Sequence, residues 1–202
     1  MPKLFIIAGQ NGAGKSSYGK NLLPNSAQYL PIFDGNKVFA KKRDELFKSI
    51  KVAKYARQEA NEFTNAEFIR LSGQAIANHE DFAYEGHFSS EGPWETIRKF
   101  RGVGYETTMV FLGLENVVLS ENRVRKRVEK GGFQVSAIEI HYNYYGNLQF
   151  LNRYADLLDN LILFDASASP LSVVAHVSKG QSLYQIATPP VWFEKYLPNL
   201  VK

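Results

Sequence analysis

The chain has 202 residues, of which 45% are hydrophobic and 22% charged, values typical of a globular protein and long enough for one domain with a sizeable core. This composition excludes a mainly disordered, collagenous or coiled-coil chain, and the net charge of +4 is too small to require a polyanionic partner. The absence of cysteine excludes a disulfide framework, a thiolate zinc site and a cysteine nucleophile.

The first apolar run, Leu4 to Ala8, is too short for a secretory leader or a membrane span. We therefore expect a cytoplasmic protein with no membrane association. Because Gly9 closes the run, the segment is typical of a strand that is buried on both faces of a parallel sheet.

Helices and strands alternate in the predicted first half of the chain. A helix is predicted from Lys15 to about Leu23, a second strand from Ala27 to Phe33, and a basic helix from Asn36 onward. A long amphipathic helix is predicted from Glu59 to Ala77. Its apolar positions recur at steps of three and four residues: Phe63, Ala66, Ile69, Gly73 and Ile76.

The second half continues the same alternation. Its predicted elements are a strand at Phe82–Glu85, a helix at Trp94–Phe100, a strand at Thr107–Leu112, a helix at Val117–Lys130, a strand at Leu161–Phe164, and a hairpin of Leu171–Val177 with Ser182–Ile186. Strands that alternate with helices predict an α/β fold with a mostly parallel central sheet, and the hairpin is expected at the C-terminal edge.

A glycine-rich loop follows the first strand. Residues 9–16 read G-Q-N-G-A-G-K-S and fit the phosphate-binding pattern G-x-x-x-x-G-K-[ST], between a strand and a helix as the chemistry requires. The alternative is a glycine-rich turn with an ordinary surface lysine. Lys15 would contact the transferred phosphate and Ser16 would coordinate Mg²⁺, so ATP or GTP and Mg²⁺ are the expected cofactors. We assign nucleotide binding to Gly9, Asn11, Gly12, Ala13, Gly14, Lys15, Ser16 and Ser17.

Two acidic residues end predicted strands at the sheet edge where this loop opens. Asp34 is a candidate base for an acceptor hydroxyl, or else the first residue of an Asx turn with Gly35 and Asn36. Position alone favours neither interpretation. Glu85 could bind a sugar or another polyol, although its own sequence context favours an exposed acid in a helix-capping loop.

Three cations lie on one face of the helix predicted from Val117. Arg123, Arg127 and Lys130 recur at i, i+4 and i+7. Such a stripe is commonly a solvated face, but it precedes the segment 131–153, where nucleotide kinases commonly keep a mobile lid with arginines that contact phosphate. We assign Arg123 to nucleotide binding.

These motifs together resemble the zeta toxin family, which consists of P-loop kinases whose better-known members phosphorylate UDP-N-acetylglucosamine. The resemblance extends from about Lys3 to Ser167. It rests on AGQNGAGKSS, Asp34, YEGHFSS, YETTMVFLGLEN, ENRVRKRVEKGGFQV and NLQFLNRYADLLDNLILFDAS. It implies a single domain with a P-loop NTPase-type three-layer fold, a helical lid at about 131–153, and a protein antitoxin or regulator as a partner.

The resemblance also implies roles for individual residues. Asp34 falls on the catalytic base, Arg127 on a phosphate-contacting arginine, and Lys15 keeps its usual role in catalysis. Glu85 falls on the residue that grips the acceptor sugar, within a Glu-Thr-Thr motif that here reads Glu85-Gly86-His87. The two threonine hydroxyls are therefore missing, and His87 is a different substrate-binding donor or acceptor.

The expected lid departs further from the family. Phe133 and Ser136 replace a histidine and a proline, and His141, Tyr142 and Gly146 stand where arginines are expected. Removing one guanidinium from a phosphoryl-transfer site can cost about 10³-fold or more in rate. Nucleotide binding is thus better supported than catalysis.

Three hypotheses follow. The first is a kinase that transfers the γ-phosphoryl group of ATP or GTP to a small hydroxylated acceptor, such as a nucleotide sugar. The second is a nucleotide-binding switch or toxin-like module with weakened catalysis. The third is a kinase or binder of nucleic acid, suggested by the basic run from Lys37 to Arg57, but this run lacks regular aromatic interleaving and favours a solvated helix face.

Overall fold

The computed structural model describes residues 1–201. Its strands are β1 (Lys3–Gly9), β2 (Ile32–Asp34), β3 (Phe82–Gly86), β4 (Glu106–Gly113), β5 (Asn160–Asp165), β6 (Ser172–Ser178) and β7 (Gln181–Gln185). They form one sheet in the order β2-β3-β1-β4-β5-β6-β7. The first five strands of this order are parallel, and β6 and β7 form an antiparallel edge hairpin. The predicted α/β fold class is confirmed.

Seven helices connect and cover these strands in the described residues. They are α1 (Lys15–Leu22), α2 (Gly35–Ile50), α3 (Ala53–Asn78), α4 (Glu91–Gly102), α5 (Val117–Glu129), α6 (Ala137–Tyr154) and α7 (Val191–Tyr196). Within residues 1–201, none of these helices is both long and apolar enough to cross a membrane.

The central strand β1 has a core on each of its faces. Leu4, Ile6 and Ala8 point into the larger cluster, whereas Phe5 and Ile7 point into a smaller one. Since successive side chains of a strand alternate between faces, burial on both faces requires the continuous apolar run that the sequence contains. The interpretation of this run as a doubly buried strand is therefore confirmed.

The second strand is shorter than the sequence predicts. The expected strand from Ala27 to Phe33 is wrong for its first five residues, because a 3-10 turn covers Asn25–Ala27 and β2 begins at Ile32. Ala27 and Leu30 are nevertheless buried in the smaller core cluster. These two residues are apolar because they pack under a turn, and apolar residues in such a turn give the same local sequence pattern as a strand.

The long helix α3 exists, but its buried face is not the predicted one. Phe63 is 42% exposed and Ile69 is 66% exposed. The buried residues of α3 are small, namely Ala56, Ala60, Ser72 and Ala75. Helix α3 packs beside α2, while Phe68, Leu71 and the predicted Ile76 are partly buried against the larger core cluster.

Most of the segment expected as a lid belongs to the core. Helix α6 covers Ala137–Tyr154, and its inner face is buried. The inner residues are Ile140, Asn143, Tyr144, Gly146, Asn147, Leu148 and Leu151. Only residues 131–136 form an irregular, largely exposed connection between α5 and α6.

Gly146 marks the point where α6 comes closest to the loop after β3. A Cβ atom at this position would lie 2.7 Å from both the Cβ and the carbonyl oxygen of Ser89. The resemblance places an arginine here, but the contact leaves no room for any side chain. The exchange of arginine for glycine at this position is thus part of the helix packing.

We expect Gly146→Ala to lower the free energy of unfolding by about 1–3 kcal/mol, because a methyl group would overpack this contact. Gly73→Ala in α3 is the matched control, since a Cβ there meets nothing within 4 Å. It should raise stability by about 0.5–1 kcal/mol through the lower backbone entropy of alanine in the unfolded chain. Urea unfolding of both variants measures the difference, and equal effects would contradict the packing argument.

Candidate functional site

The carboxyl ends of three neighbouring strands meet at one place in the sheet. Ile7 of β1 pairs with Glu85 of β3, and Glu85 pairs with Asp34 of β2. A cavity of about 510 Å³ opens here, in the size range of a small-molecule site. Its lining residues are Asn11, Gly12, Gly14, Lys15, Ser16, Ser17, Asp34, Asn36, Lys37, Ala40, Glu85, His87, Arg123, Arg127, Phe133, Val135 and Glu139.

The glycine-rich loop has the backbone that phosphate binding requires. Gly12 and Gly14 have φ values of 75° and 91°, and Gly14 is the left-handed N-cap of α1. Glycine adopts this region without strain, so the backbone can turn its N–H groups towards a phosphate at the helix N-terminus. Two predicted loop residues do not line the cavity: the carbonyl oxygen of Gly9 accepts a hydrogen bond from Lys15, and Ala13 is buried in the larger core.

The ammonium group of Lys15 is held inside the loop by backbone carbonyls. Its Nζ atom donates to the oxygens of Gly9 at 2.8 Å and Gln10 at 3.1 Å. Burial lowers the pKa of Lys15 to about 8, although the negative charge of Glu85 opposes this shift. The cation is therefore desolvated and lacks a direct ion pair in the described structure, which favours the arrival of an anion.

Ser16 connects the loop to both strand-end carboxylates. Its hydroxyl donates to Glu85 Oε1 at 2.7 Å and lies 3.3 Å from Asp34 Oδ2. Asp34 is also the N-cap of α2, where its Oδ1 accepts from the Lys37 backbone N–H at 3.1 Å. The Lys37 ammonium lies 3.0 Å from Asp34 Oδ2. Asp34 thus both begins a helix and lines the cavity, so the two interpretations left open by the sequence are compatible.

Glu85 is not the exposed capping acid that its sequence context favours. It is 9% exposed, and burial is the main reason why its pKa is raised, with a further contribution from the charge of Asp34. The hydrogen bond from Ser16 opposes this shift. Two adjacent carboxylates beside a hydroxyl form an oxygen-rich corner that suits a hard cation.

The donor set fits Mg²⁺ when a nucleotide supplies the remaining oxygens. Mg²⁺ commonly takes one or two carboxylates and completes its shell with waters and substrate phosphates. The Ser16 hydroxyl would hold it here, as the sequence predicts, beside the carboxylate of Glu85. The described part of the chain contains no group of three or more His, Cys, Asp and Glu side chains that would form a metal site.

Two arginines of α5 reach the cavity, as the predicted stripe requires. Arg123 donates to the carbonyl oxygen of Ser167 at 2.7 Å and to that of Gly12 at 3.4 Å. Arg127 donates to the carbonyl oxygen of Phe133 at 2.8 Å. The third member, Lys130, is exposed and is not among the lining residues.

The connection 131–136 crosses the cavity from α5 towards α2. Its Phe133 lines the cavity and packs edge-on against Phe39, with 5.9 Å between the ring centroids. The histidine expected at this position is thus replaced by an aromatic anchor. Neither Phe133 nor Val135, which also lines the cavity, was identified from the sequence as a site residue.

The three positions where arginines are expected do not line the cavity. His141 lies 3.0 Å from Glu121, Tyr142 is 58% exposed, and Gly146 contacts Ser89. Lys37 instead supplies a cation that sequence reasoning did not assign to the site. Its position three residues after the helix-capping Asp34 is the signal that could have identified it.

His87 lies between two asparagine side chains. The amide nitrogen of Asn11 is 3.3 Å from His87 Nε2, and that of Asn147 is 3.4 Å from Nδ1. Loss of solvent around the ring lowers the pKa of His87 well below its ordinary value, and the charge of Lys15 adds to this shift. His87 is therefore a neutral group at neutral pH that can donate or accept a hydrogen bond.

A network of buried amides extends from His87 into α6. Asn143 donates to Asn11 Oδ1 at 3.0 Å, and its own Oδ1 accepts from Ser89 at 2.8 Å. The backbone N–H of Phe88 donates to Asn147 Oδ1 at 2.7 Å. This network was not predicted from the sequence. Its signal is a pair of asparagines one turn apart on the apolar face of a helix.

The protein has a P-loop NTPase-type α/β fold. This class is defined by a strand, a glycine loop and a helix, with a cation and two carboxylates at the carboxyl ends of the strands. Solved structures of similar fold support this classification. A crystal structure of AvrRxo1-ORF1:-ORF2 with ATP is 14% identical with a TM-score of 0.71, covering 100% of this chain and 65% of that chain. Our chain thus spans less than two thirds of its length.

Two further structures are similar. The toxin–antitoxin system PezAT of Streptococcus pneumoniae contains a chain that is 15% identical with a TM-score of 0.64, covering 99% of this chain and 85% of that one. A kinase-like protein from Chloroflexus aurantiacus, described as a candidate kinase, is 12% identical with a TM-score of 0.51, covering 69% and 73%. No family model and no curated protein matches the sequence. At these identities the similarity establishes the fold, and the fold that the resemblance predicts is confirmed.

The neutral state of His87 predicts how stability depends on pH. Below about pH 6.5 this histidine binds a proton in the unfolded chain but stays neutral in the folded site. The free energy of unfolding therefore decreases as the pH is lowered, by up to about 1.4 kcal/mol per pH unit. His87→Gln should reduce this slope in urea unfolding. His79→Asn, which changes an exposed histidine at the end of α3, is the control, and an equal change of slope in both variants would contradict the assignment to His87.

The lowered pKa of Lys15 predicts the pH dependence of nucleotide affinity. As the pH rises through about 8, the free site loses the ammonium charge, so ATP affinity should fall by up to about tenfold per pH unit. Calorimetric titration of ATP from about pH 7 to about pH 9.5 measures this dependence. Lys15→Met should bind weakly with little variation over the same range. A flat profile for the unmodified protein would contradict the assignment.

Proposed function

We propose that the protein is a phosphotransferase that moves the γ-phosphoryl group of ATP or GTP to a hydroxyl group of a small acceptor. One observation carries this proposal. The Ser16 hydroxyl of the phosphate loop lies within 3.3 Å of both Asp34 and Glu85 in the cavity that Lys15 also lines. Such an arrangement supplies a phosphate site, a cation site and a base in one place.

Asp34 is the proposed base. Its carboxylate is buried at the end of β2, and it lies beside the loop that would hold the transferred phosphate. In the transfer, the acceptor oxygen forms a bond to the γ-phosphorus while the bond from that phosphorus to the bridging oxygen breaks. The hydroxyl proton passes to Asp34, and the nucleoside diphosphate leaves.

Cations from three elements surround the proposed path of the phosphoryl group. Lys15 belongs to α1, Lys37 to α2 and Arg127 to α5, and all three line the cavity. Their charges would stabilise the negative charge that spreads over the phosphoryl oxygens. Mg²⁺, when bound with the nucleotide at Ser16, would offset further charge on the β- and γ-phosphates.

We also propose an acceptor class and a protein partner, neither of which follows from the fold alone. The resemblance to zeta toxins supports a nucleotide sugar such as UDP-N-acetylglucosamine as one acceptor to test, oriented by Glu85 and His87. The similar structures include an AvrRxo1-ORF1:-ORF2 complex and a toxin–antitoxin system, which supports a protein antitoxin or regulator for this chain.

The competing proposal is a nucleotide-binding switch without catalysis. It drew its support from the missing arginines at positions 141, 142 and 146. His141 and Tyr142 lie outside the cavity and Gly146 is a packing position, and the lining holds four cations without them: Lys15, Lys37, Arg123 and Arg127. The kinase is therefore the better supported of the two functions.

Asp34→Asn tests the base, because asparagine caps a helix about as well as aspartate but does not accept the proton. We expect the turnover number to fall by about 10²–10⁴ with stability nearly unchanged. Asp34→Ala removes the cap as well and should lose about 1 kcal/mol of stability. The measurement is a mass-spectrometric product screen with ATP, Mg²⁺ and a panel of nucleotide sugars and other hydroxylated metabolites.

Two results of this screen would reject the proposal. Unchanged product formation by Asp34→Asn would remove the assigned base. Tight nucleotide binding by the unmodified protein, with no phosphorylated product across the panel, would favour the switch.

A further inference from the structure

Helix α5 packs directly against the backbone of the phosphate loop. Its Ser120 is fully buried, and the Ser120 hydroxyl donates to the carbonyl oxygen of Asn11 at 2.6 Å. A Cβ atom on Gly12 would lie 2.8 Å from the Cβ of Arg123 and 3.3 Å from the carbonyl oxygen of Ser120. Ser120 does not line the phosphate cavity. The loop backbone is therefore fixed to α5 by a contact that lies outside the cavity.

The hydrogen bond from Ser120 sets the orientation of one peptide group of the loop. In a planar trans peptide the C=O and the N–H point in opposite directions. Because the Asn11 carbonyl points to α5, the N–H of Gly12 points away from α5, and Gly12 lines the cavity. Within residues 1–201 this N–H has no backbone carbonyl as a partner, whereas the N–H of Ala13 donates to Gln10 at 3.3 Å. The Gly12 N–H thus remains available to a phosphate oxygen.

The side chain of Asn11 is anchored separately from its carbonyl group. Its Oδ1 accepts from Asn143 at 3.0 Å, and its amide nitrogen lies 3.3 Å from His87 Nε2. Removing the Ser120 hydroxyl would therefore free the Asn11 carbonyl without releasing the Asn11 side chain. The expected effect of such a change is a local loss of peptide orientation in a loop that is otherwise held in place.

The two preceding carbonyls of the loop depend on a residue that a phosphate would attract. The Lys15 ammonium donates to the carbonyl oxygens of Gly9 and Gln10. An arriving phosphate competes for this ammonium group, because an ion pair is stronger than a hydrogen bond to a neutral carbonyl. The Ser120 hydroxyl is uncharged and buried, so it keeps its bond to Asn11 when the anion binds. The Asn11–Gly12 peptide therefore stays oriented before and after binding.

From this geometry we infer that Ser120 is a positioning residue of the phosphate site, whose hydroxyl holds the Asn11–Gly12 peptide so that the Gly12 N–H donates to a phosphate oxygen of the nucleotide. The inference rests on the nucleotide binding of the proposed function, and it adds a residue of α5 that was not predicted from the sequence. An N–H group that is already oriented stabilises an anion without the cost of turning the peptide on binding.

The binding test uses tripolyphosphate, which has the phosphate chain of ATP without the base and the sugar. Isothermal calorimetry in the presence of Mg²⁺ compares the unmodified protein with Ser120→Ala. The variant should bind tripolyphosphate and ATP more weakly by the same factor, about two- to tenfold, which is the size of one hydrogen bond. The factors should agree because the lost interaction is with a phosphate group, which both ligands contain.

Thr107→Val is the control for a general loss of stability. The Thr107 hydroxyl is also fully buried, and it lies 3.3 Å from the Leu157 carbonyl oxygen and 3.0 Å from the Asp159 carboxylate. Thr107 is near the start of β4, whereas the phosphate loop begins beside the end of this strand. Valine has the shape of threonine without the hydroxyl. This variant should lose stability in urea unfolding but keep the tripolyphosphate affinity of the unmodified protein.

The NMR signal of the Gly12 amide reports the orientation of the peptide directly. In the ¹⁵N–¹H spectrum of the unmodified protein, tripolyphosphate should move the Gly12 amide proton to lower field, as a hydrogen bond to an anion does. At saturation with the same ligand, this shift should be smaller in Ser120→Ala. A residue that only stabilised the fold would leave the shift at saturation unchanged.

Four outcomes would overturn the inference. They are equal tripolyphosphate affinities of Ser120→Ala and the unmodified protein, an equal loss of affinity in Thr107→Val, an equal shift of the Gly12 amide in Ser120→Ala and the unmodified protein, and no binding of tripolyphosphate by the unmodified protein.

The transfer assay separates this inference from the proposed function. With ATP, Mg²⁺ and an acceptor identified by the product screen, Ser120→Ala should raise the KM of ATP and leave that of the acceptor unchanged. If the binding and NMR results are as expected but no acceptor is phosphorylated, the phosphotransferase proposal fails and the role of Ser120 stands. If product forms and Ser120→Ala keeps the ATP KM of the unmodified protein, the role of Ser120 is wrong and the phosphotransferase stands.

Discussion

The parallel register of β1, β3 and β2 is the constraint on which the candidate site depends. Ile7, Glu85 and Asp34 lie at the same level of three adjacent strands, so two carboxylates meet directly beside the phosphate loop that follows β1. Moving the β2–β3 pairing by one residue would turn Asp34 to the other face of the sheet, because side chains alternate along a strand. The hydrogen bond from Ser16 to Glu85 then joins the loop to this corner. The chemistry thus depends on backbone pairing that is itself fixed by the buried apolar side chains of β1.

Helix α6 holds the phosphate loop in place through buried hydrogen bonds. Asn143 and Asn147 place amide groups among leucines, where an unpaired amide would be costly, and each of them finds partners on the phosphate loop or after β3. Gly146 allows the close approach that these hydrogen bonds need. This helix therefore holds Asn11 and His87 in position, while the short connection 131–136 is the part of the expected lid that crosses the cavity.

The modest net charge of +4 hides an uneven distribution. The segment from Asn36 to Arg57 contains eight basic and two acidic residues, and Glu121 to Lys130 contains five and two. Only a few of these cations, Lys37 on α2 and Arg123 and Arg127 on α5, line the phosphate cavity. Together with Lys15 they face three carboxylates of the same lining, Asp34, Glu85 and Glu139.

The sequence by itself determined the α/β fold, the strand–loop–helix phosphate site and the edge hairpin, because each depends on local signals: a continuous apolar run, fixed glycines, and a turn between two strands. It also identified Asp34, Glu85, Arg123 and Arg127, which the structure brings to one cavity. The extent of β2, the buried face of α3 and the place of α6 in the core were decided only by the tertiary structure. Apolar residues under a turn resemble a strand, and the buried Ala60 of α3 cannot be told from the exposed Ala66 by hydrophobicity. The amide network around His87 depends on contacts between residues far apart in the chain, such as Asn11 and Asn143, and no local sequence pattern indicates such contacts.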